Sequence, residues 1–360
     1  MKQPVLSIII PAFNAACTLP RCLGSICRQK NFTDYELIIV NDGSDDETKS
    51  IAEKHQAIHN NIVLINQENH GVSAARNTGL ANAHGKYVTF VDADDKVGAN
   101  PQAFEKYTSH YTTTYQSLEY VSKIVPMPYQ TIQLTPDTQY FARMVDAAEQ
   151  NVADVGLANK LTAIRQDEGV YKIKIHKYSS LFNFSEKPAV KQMLLNHADI
   201  RESANFAIYR REFLKKHNLR FEENMPLDED MLFCMLAVLK ANKVISIPDS
   251  TYFYNRHENT LSNISSSIIS DHKYSIAYIQ RFSILLKELQ NYPQYAESYK
   301  YWTKIFALSS RPEIYNENFP ADNCAKCEKQ TCENCAIKET NSVLFQQNIA
   351  TFLKQSSKQH

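Results

Sequence analysis

The run Lys86–Val91 reads as a buried strand, and Asp92-Ala93-Asp94-Asp95 follows directly on it. Two carboxylates one residue apart at a strand end present hard oxygen ligands of the kind that Mg2+ or Mn2+ takes. An acidic turn, with Asp95 capping a helix, uses the same residue types without a metal. A second acidic group, Asp228-Glu229-Asp230, precedes the apolar run Met231–Leu239. Such residues often cap and charge a helix start. A carboxylate near a helix N-terminus is also held ionised, ready to accept a proton at neutral pH. Cys324, Cys327, Cys332 and Cys335 form two C-x-x-C pairs with four residues between them. Four thiolates can surround one structural Zn2+, although a polar loop of free thiols has the same composition. The spacing does not match the usual iron–sulfur runs.

The elements that must position these groups alternate in type. Val5–Ile10 is a β-branched run that reads as a buried parallel strand stopping at Pro11, with a helix over residues 18–29. A second strand, Glu36–Val40, ends at Asn41-Asp42-Gly43-Ser44. Ser44 or Asp45 can cap the next helix, with Asp46 and Glu47 in its first turn. A third strand spans Ile62–Ile65, and a helix over residues 72–83 leads to Lys86–Val91. Strands alternating with helices imply a doubly wound parallel sheet, with ligands outside the carboxyl ends of its strands. Asn14, Asp42 and Asp94 each stand at such an end.

Residues 100–200 carry a weak pattern, consistent with helices and an antiparallel hairpin. A basic helix is expected near Arg210–His217. The buried helix over Met231–Leu239 precedes a short strand, Val244–Ile247. Asp271 can cap a long helix carrying Ile276, Ile279, Phe282, Leu286 and Leu289, ended by Pro293. Cys17, Cys22 and Cys27 read as small core residues. The basic residues Arg210, Arg211, Lys215, Lys216, His217 and Arg220 suit either a solvated helix face or contact with anionic lipid or an acceptor phosphate.

Composition bounds the rest. Of 360 residues, 43% are hydrophobic and 22% charged, and Lys+Arg and Asp+Glu both total 39. A neutral chain has no global field to gather nucleic acid. Six of the eight glycines fall in the first hundred residues, which therefore hold most of the permissive loops. No run approaches the ~18 apolar residues of a membrane span, and the start lacks a signal-peptide pattern. A cytoplasmic location with reduced thiols is the simplest reading.

Four motifs occur in order: Ile8-Ile9-Ile10-Pro11-Ala12-Phe13-Asn14, Val40-Asn41-Asp42-Gly43-Ser44-Asp45-Asp46, Asn69-His70-Gly71-Val72-Ser73-Ala74-Ala75-Arg76-Asn77-Thr78-Gly79, and Asp92-Ala93-Asp94-Asp95. Together they closely resemble the inverting glycosyltransferases of family 2. A second stretch, from Tyr209-Arg210-Arg211-Glu212-Phe213-Leu214 through Phe221 and Glu229-Asp230-Met231-Leu232-Phe233 to Tyr252-Phe253-Tyr254, resembles members that decorate bacterial surface polysaccharides. The resemblance implies a GT-A-like α/β fold, its doubly wound, mostly parallel sheet flanked by helices. It implies a donor-binding half at 1–100 and an acceptor-binding half at 101–262. A helical extension carrying the cysteines is expected at 263–360.

It further implies that Pro11, Phe13, Asn14 and Asp42 line the base and ribose pocket, with Phe13 standing where a tyrosine is common. Arg76 would meet the diphosphate, with a solvated helix residue paired to an acid as the alternative. Asp92 would lie near ribose and metal, and Asp94 would bind Mn2+ or Mg2+ directly. Asp230 would be the general base, with Glu229 the other choice. Arg256 and His257 suit phosphate or acceptor contact, or surface positions. The implied partners are a nucleotide diphosphate-sugar, UDP-sugars favoured, and a glycan or lipid-linked glycan acceptor at the inner membrane face. A donor-binding protein without transfer is the rival reading. A nicotinamide dehydrogenase is disfavoured because no Gly-x-Gly-x-x-Gly follows the first strand.

Overall fold

The computed structural model describes residues 3–30, 32–98, 113–115, 118–121, 126–128, 137–165, 170–178, 203–225, 228–256 and 281–299 apart from 282 and 297. The cysteine cluster, Asp271, Ile276, Ile279, Phe282 and His257 lie outside the described residues, as do the segments that hold the expected boundaries near 100 and 262.

Strands β1 (Leu6–Ala12), β2 (Tyr35–Asp42), β3 (Ile62–Gln67) and β4 (Tyr87–Phe90) form a parallel block in the order β3-β2-β1-β4. Helices α1 (Leu19–Cys27), α2 (Thr48–Ile58) and α3 (Val72–Ala81) are the crossovers. Every residue of β1 is buried, because a parallel sheet covered on both faces leaves its central strand no wet side. The strand runs through Pro11 instead of stopping there. Val91 N–H donates to the Ile9 carbonyl, and β4 pairs only as far as Ile9, so Pro11 faces a side where no ladder bond is lost.

Beyond β4 the sheet changes direction. Strand β11 (Ala207–Arg210) pairs antiparallel with both β4 and β9 (Val155–Arg165), and β9 pairs antiparallel with β10 (Val170–Tyr178). The sheet expected to be mostly parallel is thus parallel in its four amino-terminal strands. In the rest, only the pairing of β9 with β12 (Val244–Arg256) is parallel among the described residues. Strand β12 runs on past the short strand expected at Val244–Ile247 to take in Tyr252-Phe253-Tyr254, with its register shifting between Ile247 and Thr251. It also pairs with β5 (Lys96–Val97), just past the aspartates.

Between residues 100 and 200, helix α4 (Tyr140–Gln150) and the β9–β10 hairpin give the weak pattern a definite form. Short strands β6 (Thr113–Tyr115), β7 (Leu118–Val121) and β8 (Pro126–Pro128) extend the sheet past β10. Helices α5 (Arg211–Lys216) and α6 (Glu229–Lys240) follow β11. Phe221 stacks on Phe233 of α6 at 4.2 Å between centroids, and both meet Phe90 edge-on, joining α6 to the sheet. Residues 283–289 are helical, and Leu286 and Leu289 are buried as expected, while Pro293 opens a short 3-10 turn.

One local expectation needs correction. Helix α2 starts at Thr48, so Ser44 and Asp45 do not cap it. They serve the loop instead: Ser44 Oγ accepts from Asn14 N–H at 3.0 Å, and Asp45 N–H donates to Asn14 Oδ1 at 2.9 Å. The basic stretch is a solvated face only in part: Lys215, Lys216 and Arg220 are exposed, whereas Arg210 and Arg211 are tied inward. Arg210 donates to the Ala153 carbonyl and pairs with Asp154, and Arg211 donates to the Gly85 carbonyl at 2.6 Å. Of the three early cysteines only Cys22 is fully buried, and Cys17 is exposed. Among the described residues no helix is long and apolar enough to cross a membrane.

Candidate active site

The parallel block places the carboxyl ends of β1, β2 and β4 side by side, so the loops bearing Asn14, Asp42 and Asp92–Asp95 meet at one end of the sheet. The first two loops are tied together. Besides the Asn14 bonds, Ala15 N–H donates to Thr48 Oγ1 at 2.7 Å and Ala16 N–H to Asp46 Oδ2 at 3.0 Å. Asn14 takes a left-handed φ of 47°, which asparagine tolerates better than most residues. Pro11 is buried behind this loop, whereas the Phe13 ring is 49% exposed.

Asp42 is buried and its carboxylate holds the next turn. Oδ1 accepts from Gln67 Nε2 at 2.7 Å and His70 N–H at 3.0 Å, and Oδ2 accepts from Gly71 N–H at 2.9 Å. Gly71 itself has φ 88°, a conformation that favours glycine, at the start of α3.

The three aspartates differ in their surroundings. Asp92, Asp94 and Asp95 each offer an oxygen within 4.8 Å of the others. Asp95 is fully buried: Tyr252 Oη donates to its Oδ2 at 2.7 Å and Asn255 N–H to its Oδ1 at 2.8 Å. The same Tyr252 oxygen accepts from Asp92 N–H at 3.2 Å, so one tyrosine of β12 pins both ends of the turn. Cys22 Sγ donates to the Asp92 carbonyl, and Arg21 to the Asp94 carbonyl at 3.2 Å. Asp92 and Asp94 are both half-buried. Burial, then the Asp94 and Asp92 charges, hold the Asp95 carboxyl well above the usual range.

Arg76 does not reach outward. It is 3% exposed, with Nη2 2.8 Å from Asp92 Oδ1, Nη1 2.7 Å from Glu229 Oε1, and its carbon 5.2 Å above the Phe221 ring. Both terminal nitrogens are thus engaged by carboxylates, and this acid pairing lies in the interior and not in solvent. Burial opposes the guanidinium's charge, yet Asp92 and Glu229 outweigh it and hold Arg76 protonated. Asn205 Nδ2 donates to the other oxygen of Asp92.

Glu229 and Asp230 open α6 and have separate environments. Glu229 is buried against Arg76. Burial and the neighbouring Asp230 charge push its carboxyl up to about 7, with Arg76 opposing. Asp230 is half-exposed, and its Oδ1 accepts the Met231 N–H at 2.7 Å. It is near enough for its charge to act on both Arg76 and Asp92. The site thus gathers Asp92, Asp94, Asp230, Asp42, Asn14 and Phe13 at one end of the sheet. Arg256 ends β12, two residues past Tyr254.

Sequence reasoning missed Asn205, Asn255 and the anchoring role of Tyr252. Tyr252 lay inside a motif already singled out. Nothing in the local pattern marks Asn205, whose link to Asp92 spans 113 positions.

The model of the family described as "Glycosyl transferase family 2" matches residues 7–112. The uncharacterized glycosyltransferase EpsJ of Bacillus subtilis is 29% identical over 266 residues, covering 72% of this chain and 64% of EpsJ. The minor teichoic acid biosynthesis protein GgaB of the same organism is 25% identical over 293 residues, covering 80% of this chain and 27% of GgaB. This chain therefore spans less than two thirds of either relative. The crystal structure of S. aureus TarS 1-349 in complex with UDP-GlcNAc superposes with a TM-score of 0.60 at 20% identity, covering 88% of this chain and 76% of that one. That likeness shows a shared fold.

Proposed function

This chain belongs to glycosyltransferase family 2, and from that premise we propose that it moves a sugar from a nucleotide diphosphate-sugar to an acceptor hydroxyl with inversion. The observation that carries the reading is the division of labour between two adjacent acids. Glu229 is locked to buried Arg76, whereas Asp230 stands half-exposed beside it, on the same side of the sheet as the aspartate cluster. Asp230 is the general base, and Glu229 holds the turn.

The acceptor oxygen forms its bond to the anomeric carbon as the bond to the diphosphate oxygen breaks. Asp230 takes the acceptor's proton, and the nucleoside diphosphate leaves with the bonding electrons. Phe13 offers an exposed ring on which a base can stack, and Asn14 and Asp42 shape the loop beneath the ribose. Asp94, with Asp92, would hold Mn2+ or Mg2+. Three carboxylate oxygens within 4.8 Å suit such an ion, and the diphosphate supplies further oxygens. When bound, the ion offsets the charge that gathers on the leaving diphosphate.

A UDP-sugar is the favoured donor, a choice supported by the UDP-GlcNAc bound to TarS. The name of GgaB supports an acceptor among surface polymers, such as a glycan carried on lipid at the inner membrane face. The test is a panel of UDP-glucose, UDP-galactose, UDP-GlcNAc and GDP-mannose, read by thermal shift and nucleotide release with and without Mn2+. One UDP-sugar should bind and hydrolyse slowly in a metal-dependent way. Binding without release, for every donor and with acceptor glycans added, would favour a silent donor-binding protein.

A further inference from the structure

Asp228 occupies the N-cap position of α6 with φ 62° and ψ 17°, a left-handed conformation that few non-glycine residues adopt. Its side chain makes no capping bond to the helix it precedes. The carboxylate instead turns to Arg281, whose Nη1 donates to Asp228 Oδ2. Arg281 is only 2% exposed, and the same nitrogen lies 3.8 Å from Met231 Sδ in the first turn of α6.

The segment that supplies Arg281 is itself held against α6. Leu285, Leu286 and Leu289 share a core with Leu232, Phe233 and Val238, and Glu288 pairs with Lys240 at the far end of α6. The helical residues after 280 thus grip α6 at both ends. The grip at the N-terminal end falls on Asp228, the N-cap residue through which the chain enters the helix. Turning Asp228 out of the left-handed region would swing the next two residues, which are Glu229 on Arg76 and then Asp230.

We propose that Arg281 is a positioning residue: by holding Asp228 left-handed, it aims the turn that presents Asp230 to the acceptor. The proposal rests on the reading of Asp230 as base and adds a residue from outside the segments that carry the family motifs. An ordinary buried ion pair would stabilise the fold alone. A positioning pair has a further property, because glycine at 228 takes the same φ unaided and so removes the need for the arginine.

The test measures UDP release from whichever UDP-sugar of the panel is hydrolysed fastest, with Mn2+ present, in four variants beside wild type. Arg281→Ala should lower kcat roughly 10- to 100-fold with donor KM within about twofold, the signature of a displaced reacting group. Asp228→Gly should keep most of the turnover. The Arg281→Ala/Asp228→Gly double variant should regain about tenfold or more over Arg281→Ala, since glycine restores the turn. A double variant no faster than Arg281→Ala, or an Arg281→Ala enzyme with wild-type kcat, overturns the proposal. Should Arg281→Ala fail to fold by circular dichroism, Arg281→Lys, which keeps a cation but loses the planar fork, enters the same comparison under the same rule. Asp230→Asn is the fourth variant. Its retention of full turnover would remove the base reading, and that failure is read in a different variant from the failure of Arg281.

Discussion

Asp92, Asp94 and Asp95 stand within reach of one ion, but their neighbours give them different work. Asp95 is held by Tyr252 and Asn255, and Asp92 is shared between Arg76 and Asn205; Asp92 and Asp94 are both half-buried, and Asp94 is the member that the motif implies as the direct metal ligand. Asp94→Asn should therefore fold normally yet lose metal-dependent stabilisation by UDP. A ligand at a hundredfold excess over its Kd stabilises by about 2.7 kcal/mol, well within reach of a thermal shift. An equal shift for Asp94→Asn and wild type would move the metal elsewhere. Glu229 gives a pH signature. Its folded carboxyl is raised from 4.5 to about 7, by burial first and by Asp230 second. A raised group contributes its stability fully below the unfolded value and loses it as pH rises through the folded one. Wild type should thus lose stability from about pH 4.5 to about pH 7, and Glu229→Gln should show a shallower fall. Parallel slopes would show that the carboxyl titrates normally. At this scale the sequence marked Asp42, Asp94 and Asp230 through motif and position. It could not reveal that Arg76 is buried, because one of its acid partners, Glu229, lies 153 positions along the chain.

The elements act as spacers for these groups. Helix α3 lies against β1 so closely that a Cβ on Gly79 would stand 2.4 Å from Ile9 Cγ2, and one on Gly85 would stand 2.5 Å from the Ser7 nitrogen. Gly85→Ala meets backbone, which cannot move aside as a side chain can, so it should destabilise by about 1–3 kcal/mol in urea unfolding. Gly79→Ala meets the Cγ2 methyl of buried Ile9, a β-branched side chain with little rotamer freedom, and should also destabilise by about 1–3 kcal/mol. Wild-type stability in either variant would contradict the packing described. Strand β1, strand β2 and the helices between them were legible because apolar runs alternate with polar strand ends. The antiparallel half was not legible: β9 reaches across to β11, β10 and β12, and such pairings depend on distant residues rather than local periodicity. The start of α2 was misplaced for a related reason. Ser44 and Asp45 look like caps, yet they bond across to Asn14, about 30 positions away.

For the molecule as a whole, the site is assembled from both halves of the sheet. Strands β1, β2 and β4 supply the donor loops, β12 anchors the aspartates through Tyr252, and α6 brings Asp230. The resemblance in sequence covered the first hundred residues and a second stretch from Tyr209 to Tyr254, and the long-range ties explain how the two meet. Beyond residue 306, the cysteines at 324, 327, 332 and 335 carry a separate expectation, one Zn2+ bound by four thiolates. Elemental analysis of protein purified without added metal should find a single zinc per chain. That zinc should be lost in Cys324→Ser/Cys327→Ser with UDP-sugar hydrolysis intact. Zinc-free protein with no titratable thiols in this segment would indicate disulfides. The central claim is that Asp230 takes the acceptor's proton, and comparing Asp230→Asn with wild type under saturating UDP-sugar and Mn2+ tests it most directly. The account predicts unchanged donor binding by thermal shift and a fall in UDP release of roughly 10²–10⁴-fold. Release at the wild-type rate, with donor equally well bound, would contradict it.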